Sequence, residues 1–368
     1  MVGSPCWQRL SKEISLHFQM LSFLYPLAAF LIAALTVIVT TPFIKKTALR
    51  LGLVDRPDPR KVHKRPMVRL GGVAMFAGFS LALLVVWWTG GFGQLPQVKE
   101  YEAWGVALGA LAYFGIGLLD DLFNLSPLSR LIMQVIVAIA AWSAGVQIDF
   151  ITIPGLGLLQ LPDPVSLAIT VLWLVGMTNA INWIDGLDGL AAGVSGIAAV
   201  VMLLTCIFMK QPAAALIAAA LAGSSLGFLR YNFNPAQIFM GDGGSYFIGF
   251  TLAGIGAIGL VKGVTTVAVL LPYLILAVPI LDMSAVILDR LRNGKSPFIA
   301  DKRHLHHRLL NAGLSHRRTV LFIYSLTLWV GSLALAFSGV PSGFAYAISA
   351  TLILSFAAWR VWRIAKQA

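Results

Sequence analysis

The sequence predicts an all-α, polytopic integral membrane protein, and three observations predict it. Hydrophobic residues make up 58% of the 368 and charged residues only 11%, with a mean hydropathy of +0.84. Apolar runs recur along the whole chain, each close to the roughly 20 residues of helix that cross a hydrocarbon core. The ten-residue alternation of a membrane barrel is absent. Lipid offers a backbone no hydrogen-bond partners, so helices remain as the way across.

About eleven spans are expected, near 22–44, 70–89, 104–119, 129–147, 165–182, 189–208, 213–229, 244–260, 264–288, 319–338 and 343–359. Residues 1–21 mix polar and apolar types and read as a poorly defined tail; 289–318 read as a long polar loop. The whole of 1–368 is expected to be a single transmembrane domain. Cys6 lies in the tail and Cys206 inside an apolar run, so no disulfide is expected.

The net charge of +12 would suit nucleic acid, but the placement of the charges excludes that partner. With the loops alternated across the bilayer, every one of the 27 basic residues except Arg9, Lys12, Lys99, Lys210 and Lys262 falls on one side. Lys and Arg accumulate on the cytoplasmic side, which puts the N-terminus out and the C-terminus in. The basic stretch at 45–69 fits this rule and anionic lipid headgroups; alternatively its segment Arg60–Gly72, with His63, Lys64, Arg65 and two glycines, reaches over the polar site.

Four polar islands interrupt the apolar pattern. Asp120-Asp121 closes the third span, where acidic residues oppose the helix dipole and are poor choices for stability alone. Adjacent carboxylates there would hold a divalent cation or take a proton. The second island runs from Asn179 through Asn182 and Asp185 to Asp188. An Asp at the centre of a membrane helix costs roughly 2.5–3.5 kcal/mol, so these carboxylates belong at a helix end or beside a polar cavity. If helical, Asn182, Asp185 and Asp188 share a face suited to a metal or polar ligand. Alternatively Asp-Gly-Leu-Asp-Gly is a turn with an Asp N-cap, whose free amides would suit phosphate.

The third island joins Asn232 and Asn234 to Phe239-Met240-Gly241-Asp242-Gly243-Gly244. Its glycines permit close backbone approach to a ligand, and Phe239 would either stack on a nucleobase or pack at the membrane interface. The fourth sets His304, His306 and His307 among Arg292, Lys302, Arg303 and Arg308. Zinc wants His or Cys in paired spacing with further ligands. The surrounding cations instead favour phosphate, with one His able to donate a proton. Asp282, inside the ninth span, is a buried carboxylate and a functional candidate by its position. All four islands fall on the cytoplasmic side of the predicted topology, which points to one site.

In this order and spacing, Asp120-Asp121, Asn179–Gly189, Phe239–Gly244 and His304–His307 resemble the polyprenyl-phosphate N-acetylhexosamine-1-phosphate transferases, of the WecA type and more distantly the MraY type. The similarity spans about 22–318, and the His-x-His-His form resembles the N-acetylhexosamine branch. The resemblance implies a membrane enzyme that moves N-acetylglucosamine 1-phosphate from a UDP-sugar to a polyprenyl phosphate lipid and releases UMP. It implies Mg²⁺ or Mn²⁺, with Asp242 as metal ligand and Asn182 approaching the metal. Asp120 would activate the lipid phosphate, with Asp121, Asp185, Asp188 and His304 as the other catalytic candidates. Phe239 would stack on uracil, with Asp188, Asn232 and Asn179 around the nucleotide. Arg292, Arg303, His304, His306 and His307 would recognise sugar and phosphate, and Lys64 would reach the nucleotide from a 60–72 stretch that departs from the translocase pattern.

The runner-up within the class is another UDP-N-acetylhexosamine or the muramoyl-pentapeptide. An ion-coupled transporter is the rival from a different class; its carboxylates would sit near the bilayer midplane between broken helices rather than at one face. A homodimer through small-residue helix faces is a further expectation.

Overall fold

The computed structural model describes residues 5–54, 66–153, 157–260, 266–294 and 303–366, with side chains described throughout except at 5–22, 94, 151–153, 266–269 and 365. Lys64 therefore lies outside the described residues. Helices follow one another as α1 Pro5–Arg50, α2 Gly71–Trp88, α3 Gln97–Phe123, α4 Pro127–Ser143, α5 Asp163–Ile184, α6 Leu190–Phe208 and α7 Pro212–Asn232. They continue as α8 Gly241–Ile255, α9 Thr266–Ile275, α10 Ala277–Arg292, α11 Leu305–Asn311, α12 His316–Phe337 and α13 Gly343–Ala365.

Among the described residues, nine helices are long and apolar enough to cross a membrane. The other two expected spans take different forms. The fourth is the 17-residue α4, whose start is fixed by Pro127 at the first turn and by the Ser126 hydroxyl accepting the Ser129 N–H. The ninth is broken into α9 and α10 at Leu276. Pro279 has no N–H for the Ile275 carbonyl, and the helix restarts there.

Three expectations are corrected. The N-terminal tail is helical from Pro5 and continuous with the first span, because nothing from Cys6 to Tyr25 breaks a helix. The 289–318 loop contains α11 and is entered by α10 and α12. The connection at 147–164 carries an antiparallel hairpin, β1 Phe150–Ile153 with β2 Gly157–Gln160, pairing Phe150 with Gln160 and Ile153 with Gly157. Its β-branched Ile-Thr-Ile run suits a strand.

The centre of the molecule is α8, continued by a π turn over Gly256–Leu260. This span is entirely buried, where the other candidate spans leave part of their surface uncovered. Small residues let its neighbours approach. A Cβ on Gly117 of α3 would lie 2.2 Å from the Asp242 carbonyl oxygen, and one on Gly72 of α2 would lie 2.3 Å from the Gly244 nitrogen. On Gly249 of α8 it would lie 2.6 Å from the Thr178 Cα of α5. With lipid as apolar as leucine, such backbone approach and interhelical hydrogen bonds hold the bundle. The Trp173 indole donates to the Ala253 carbonyl at 2.9 Å, and the Ser224 hydroxyl donates to the Met75 carbonyl at 2.8 Å. The N-terminus of α8, itself one of the polar islands, is thereby clasped by α2 and by α3 and α5, which carry two others.

Candidate functional site

The chain before α2 fixes one wall. Phe239 N–H donates to the Val68 carbonyl at 2.8 Å, and Gly71 and Gly72 donate back to the Phe239 and Met240 carbonyls at 2.9 and 2.8 Å. This zipper delivers Arg69 to the first turn of α8. Its Nη2 lies 3.8 Å from both Asp121 Oδ1 and Asp242 Oδ2. Gly241, at φ +75, makes the turn into the helix, and a Cβ there would strike the Arg69 carbonyl oxygen and the Asp121 carboxylate.

The two adjacent carboxylates of α3 have separate surroundings. Asp121 accepts the Asp242 N–H at 3.0 Å and the Gly243 N–H at 2.9 Å, so its carboxylate satisfies free amides at the start of α8. Asp120, 5% exposed, accepts Arg130 Nη1 at 2.5 Å and the Leu125 N–H at 2.8 Å, and its carboxyl also lies against that of Asp242. From α5, Asn182 Nδ2 donates to Asp242 Oδ1 at 2.7 Å and to Ser245 Oγ at 3.0 Å. Asp120, Asp121, Asn182 and Asp242 are thus one cluster, built from three helices and faced by Arg69 and Arg130.

Past Asn182 the chain turns towards the histidines. Helix α5 ends at Ile184, so Asp185 and Asp188 lie in a turn and the shared helical face is corrected. Half-buried Asp185 stands within electrostatic range of Arg69, Asp121 and Asp188, and burial pushes its carboxyl up to about 7. Trp183 lies edge-on to His304 at 6.0 Å between ring centroids, with the Arg290 guanidinium 5.2 Å over its indole. His304 Nδ1 is 2.8 Å from Asp282 Oδ2, and Asp282 Oδ1 accepts the Leu305 N–H at 2.7 Å. His306, 2% exposed, stacks on His304 and lies beside Gly186, where a Cβ would come within 2.4 Å of its Nε2. Burial and the neighbouring histidines hold its ring down at about 4, so it is neutral near pH 7. Asn182 to Gly186 therefore bridge the carboxylate cluster and the histidine cluster.

The remaining predicted residues are placed as follows. Asp188 Oδ2 accepts from Asn234 Nδ2 at 2.9 Å and from the Ala236 N–H at 3.0 Å, and the N-cap of α6 is Gly189; the expected Asp188 cap is corrected, because the 234–236 turn takes its carboxylate. Buried Asn232 ties the same region, accepting the Gly189 N–H at 3.1 Å and donating to the Ile238 carbonyl at 3.0 Å. Asn179 donates to Gln134 Oε1 and to the Val175 carbonyl, both at 2.8 Å. Phe239 is half-buried, His307 packs on His306, Arg303 pairs with Asp289, and Arg292 is exposed at the end of α10. Arg69, Arg130 and Ser245 were not singled out from the sequence. Only the nearness of Arg69 to Gly71-Gly72 and of Arg130 to Ser126-Pro127 marks them there.

The donor set suits a hard divalent cation. Asn182 spends its Nδ2 on Asp242 Oδ1, which leaves its own carbonyl oxygen available beside the Asp242 carboxylate, with the Arg69 guanidinium 3.8 Å from Asp242 Oδ2. No group of three or more His, Cys, Asp or Glu side chains forms a ready cage among the described residues. Mg²⁺ is usually held by one or two carboxylates together with water and substrate phosphates, so an open donor set of this kind fits it.

Comparisons with known proteins give the family. Residues 103–260, which carry three of the four islands, match the family described as glycosyl transferase family 4. A protein of Bacillus subtilis named as a probable undecaprenyl-phosphate N-acetylglucosaminyl 1-phosphate transferase is 38% identical over 331 residues, covering 90% of this chain and 86% of that one. A decaprenyl-phosphate N-acetylglucosaminephosphotransferase of Mycolicibacterium smegmatis is 37% identical over 334 residues, covering 83% and 79%. An undecaprenyl-phosphate alpha-N-acetylglucosaminyl 1-phosphate transferase of Yersinia pestis is 28% identical over 332 residues, covering 88% of each chain. By the extent of this identity and the helices that carry it, the chain belongs to glycosyl transferase family 4, among the polyprenyl-phosphate N-acetylhexosamine-1-phosphate transferases.

Proposed function

We propose that this chain transfers N-acetylglucosamine 1-phosphate from UDP-N-acetylglucosamine to undecaprenyl phosphate, releasing UMP and leaving a lipid-linked diphosphate sugar for cell-envelope polysaccharides. It works as a multi-pass protein of the bacterial plasma membrane with about eleven spans, its N-terminus outside and its site facing the cytoplasm. The observation that carries the reading is the cluster in which buried Asp120 meets half-buried Asp242 and Asn182 with Arg130 and Arg69, in a chain largely collinear with proteins named for this transfer.

The chemistry must bring a phosphate monoester against a diphosphate, so charge is the main barrier. Arg69 and Arg130 offset it at the cluster, and their fixed positions need no reorganisation as charge develops. Asp120 takes the proton still carried by the lipid phosphate. An oxygen of that phosphate bonds to the phosphorus next to the sugar, the bond from that phosphorus to the bridging oxygen breaks, and UMP leaves. Asp242 and Asn182 would hold Mg²⁺ or Mn²⁺, which supplies charge neutralisation to the diphosphate when bound. His304, oriented by Asp282, faces the substrate from the histidine loop as a donor to the departing phosphate. One phosphoanhydride replaces another, so UMP should drive the reaction backwards readily.

Incubation of purified protein with radiolabelled UDP-N-acetylglucosamine, undecaprenyl phosphate and Mg²⁺ tests this. Label passing to the organic phase with release of UMP is the expected result; release of UDP would mean transfer of the sugar alone and would sink the mechanism. The mycobacterial relatives are named for decaprenyl phosphate, so acceptor length is the first substrate feature to vary, followed by other UDP-N-acetylhexosamines.

A further inference from the structure

A cavity of about 440 Å³ opens between the end of α1 and the turn that follows α7, lined by Thr41, Pro42, Lys45, Lys46, Arg50 and Ile238, with Leu49, Tyr231 and Gln237 completing the wall. Its origin is local. Along Phe30 and Ala34 the two helices touch, since Cβ atoms on Gly223 and Gly227 would lie 2.1 and 2.9 Å from the carbonyl oxygens of those residues. Further on, Pro42 has no N–H for the Ile38 carbonyl, and the Tyr231 hydroxyl donates to that oxygen at 2.9 Å. Tyr231 holds the helices apart at this level, and the space beyond it is the cavity.

The lining has a pattern. Thr41-Pro42, Lys45-Lys46 and Leu49-Arg50 recur every four residues and share a face of α1. No ion pair to Lys45, Lys46 or Arg50 is found among the described residues. Cations in the last turns of a helix complement its dipole, but that needs no cavity, and Lys46 and Arg50 four residues apart repel each other. An anion between them removes the repulsion. At this end of the membrane span Phe43, Leu49 and Leu51 are exposed apolar side chains, Leu49 of them in the cavity wall, so the anion's carrier would lie in lipid.

We propose that this cavity binds the phosphate headgroup of a membrane lipid, with Lys45, Lys46 and Arg50 on the phosphate and Pro42 and Leu49 along the first methylenes of the chain. Its occupant would touch Ile238, whose carbonyl is held by Asn232 and which directly precedes Phe239. The site does not depend on the reaction proposed above. An anionic phospholipid and a polyprenyl phosphate present the same headgroup chemistry, and the experiment separates them.

The full chain would be reconstituted in phosphatidylcholine nanodiscs containing either phosphatidylglycerol or undecaprenyl phosphate, released into the gas phase, and scored by native mass spectrometry for retained lipid. Wild type should keep one anionic lipid that Lys45→Gln/Lys46→Gln/Arg50→Gln loses by at least about tenfold. Leu49→Trp, which keeps every charge but fills the apolar wall, should lose it too, guarding against a merely misfolded charge variant. Retention of phosphatidylglycerol identifies a bulk-lipid site, and preferential retention of undecaprenyl phosphate identifies a substrate-holding one. Equal retention by wild type and both variants would overturn the proposal, as would binding of inorganic phosphate without lipid.

Discussion

The carboxylate of Asp121 accepts the backbone N–H of Asp242 at 3.0 Å, with the Gly243 N–H at 2.9 Å on its other oxygen. Asp121 therefore positions the first turn of α8, while its sequence neighbour Asp120 faces Arg130 and the Asp242 carboxyl. Two substitutions should separate this positioning role of Asp121 from the role proposed for Asp242. Asp121→Asn replaces one acceptor by an amide N–H pointed at a backbone N–H, at a cost of about 1.5–3 kcal/mol, and should lower the thermal midpoint together with activity. Asp242→Asn removes a negative charge from beside two others and should leave the midpoint unchanged or raised, with lipid-borne label falling at least about a hundredfold. An Asp121→Asn protein that melts like wild type yet is equally inactive would return Asp121 to the chemistry.

Asp282 holds His304 through Nδ1 and takes the Leu305 N–H with its other oxygen. The second bond fixes the start of α11 and the first fixes the imidazole, which leaves Nε2 to face a ligand. Asp282→Asn can still accept the Leu305 N–H, so the fold should survive. The turnover rate should fall at least about tenfold, with the acid limb of the pH–rate profile displaced and little change in KM for the nucleotide. An unchanged pH profile with a raised KM would make the pair a purely structural strut.

His306 gives a pH dependence whose sign follows from its burial. The ring is held at about 4 against an ordinary 6.5, so the unfolded chain binds a proton that the folded loop refuses. Stability contributed by this group is complete above about 6.5 and is lost as pH falls from there towards 4. Its Nδ1 has no hydrogen-bond partner among the described residues, in keeping with a neutral ring packed between aromatic neighbours. In detergent, the melting temperature of wild type should fall over that window more steeply than that of His306→Gln; parallel curves would refute the assignment.

The helices and the polar islands were legible because both rest on large energies. A run of about 20 apolar residues has one use in this composition, and a carboxylate within it is costly enough to need a reason. Features resting on one backbone atom or on distant partners were not legible. The break at Leu276 depends on the missing N–H of Pro279 inside an unbroken apolar run. Asp188 has the local signature of an N-cap, and only the fold brings Asn234 and Ala236 to its oxygen. Arg69 and Arg130 read as topology charges because nothing local says that α8 begins beside them.

Gly186 tests whether the two clusters act as one site. Its backbone does not occupy the left-handed region, so alanine is conformationally acceptable there, and α5 ends before it. The obstacle is steric: the new methyl would lie 2.4 Å from His306 Nε2, and His306 is stacked on His304 and against His307. The least costly response is for α11 to move away from the 182–186 turn, which carries His304 out of register with Asp185 and Asp242. Gly186→Ala should therefore keep its melting temperature within a few degrees of wild type while transfer drops at least about tenfold, since small displacements of positioned groups are expensive in rate. Pairing it with His306→Ala, which removes the clashing ring, should restore part of the loss relative to Gly186→Ala alone. Strictly additive losses in the double variant would show that the turn and the histidine helix contribute independently, and the single-site reading would fall.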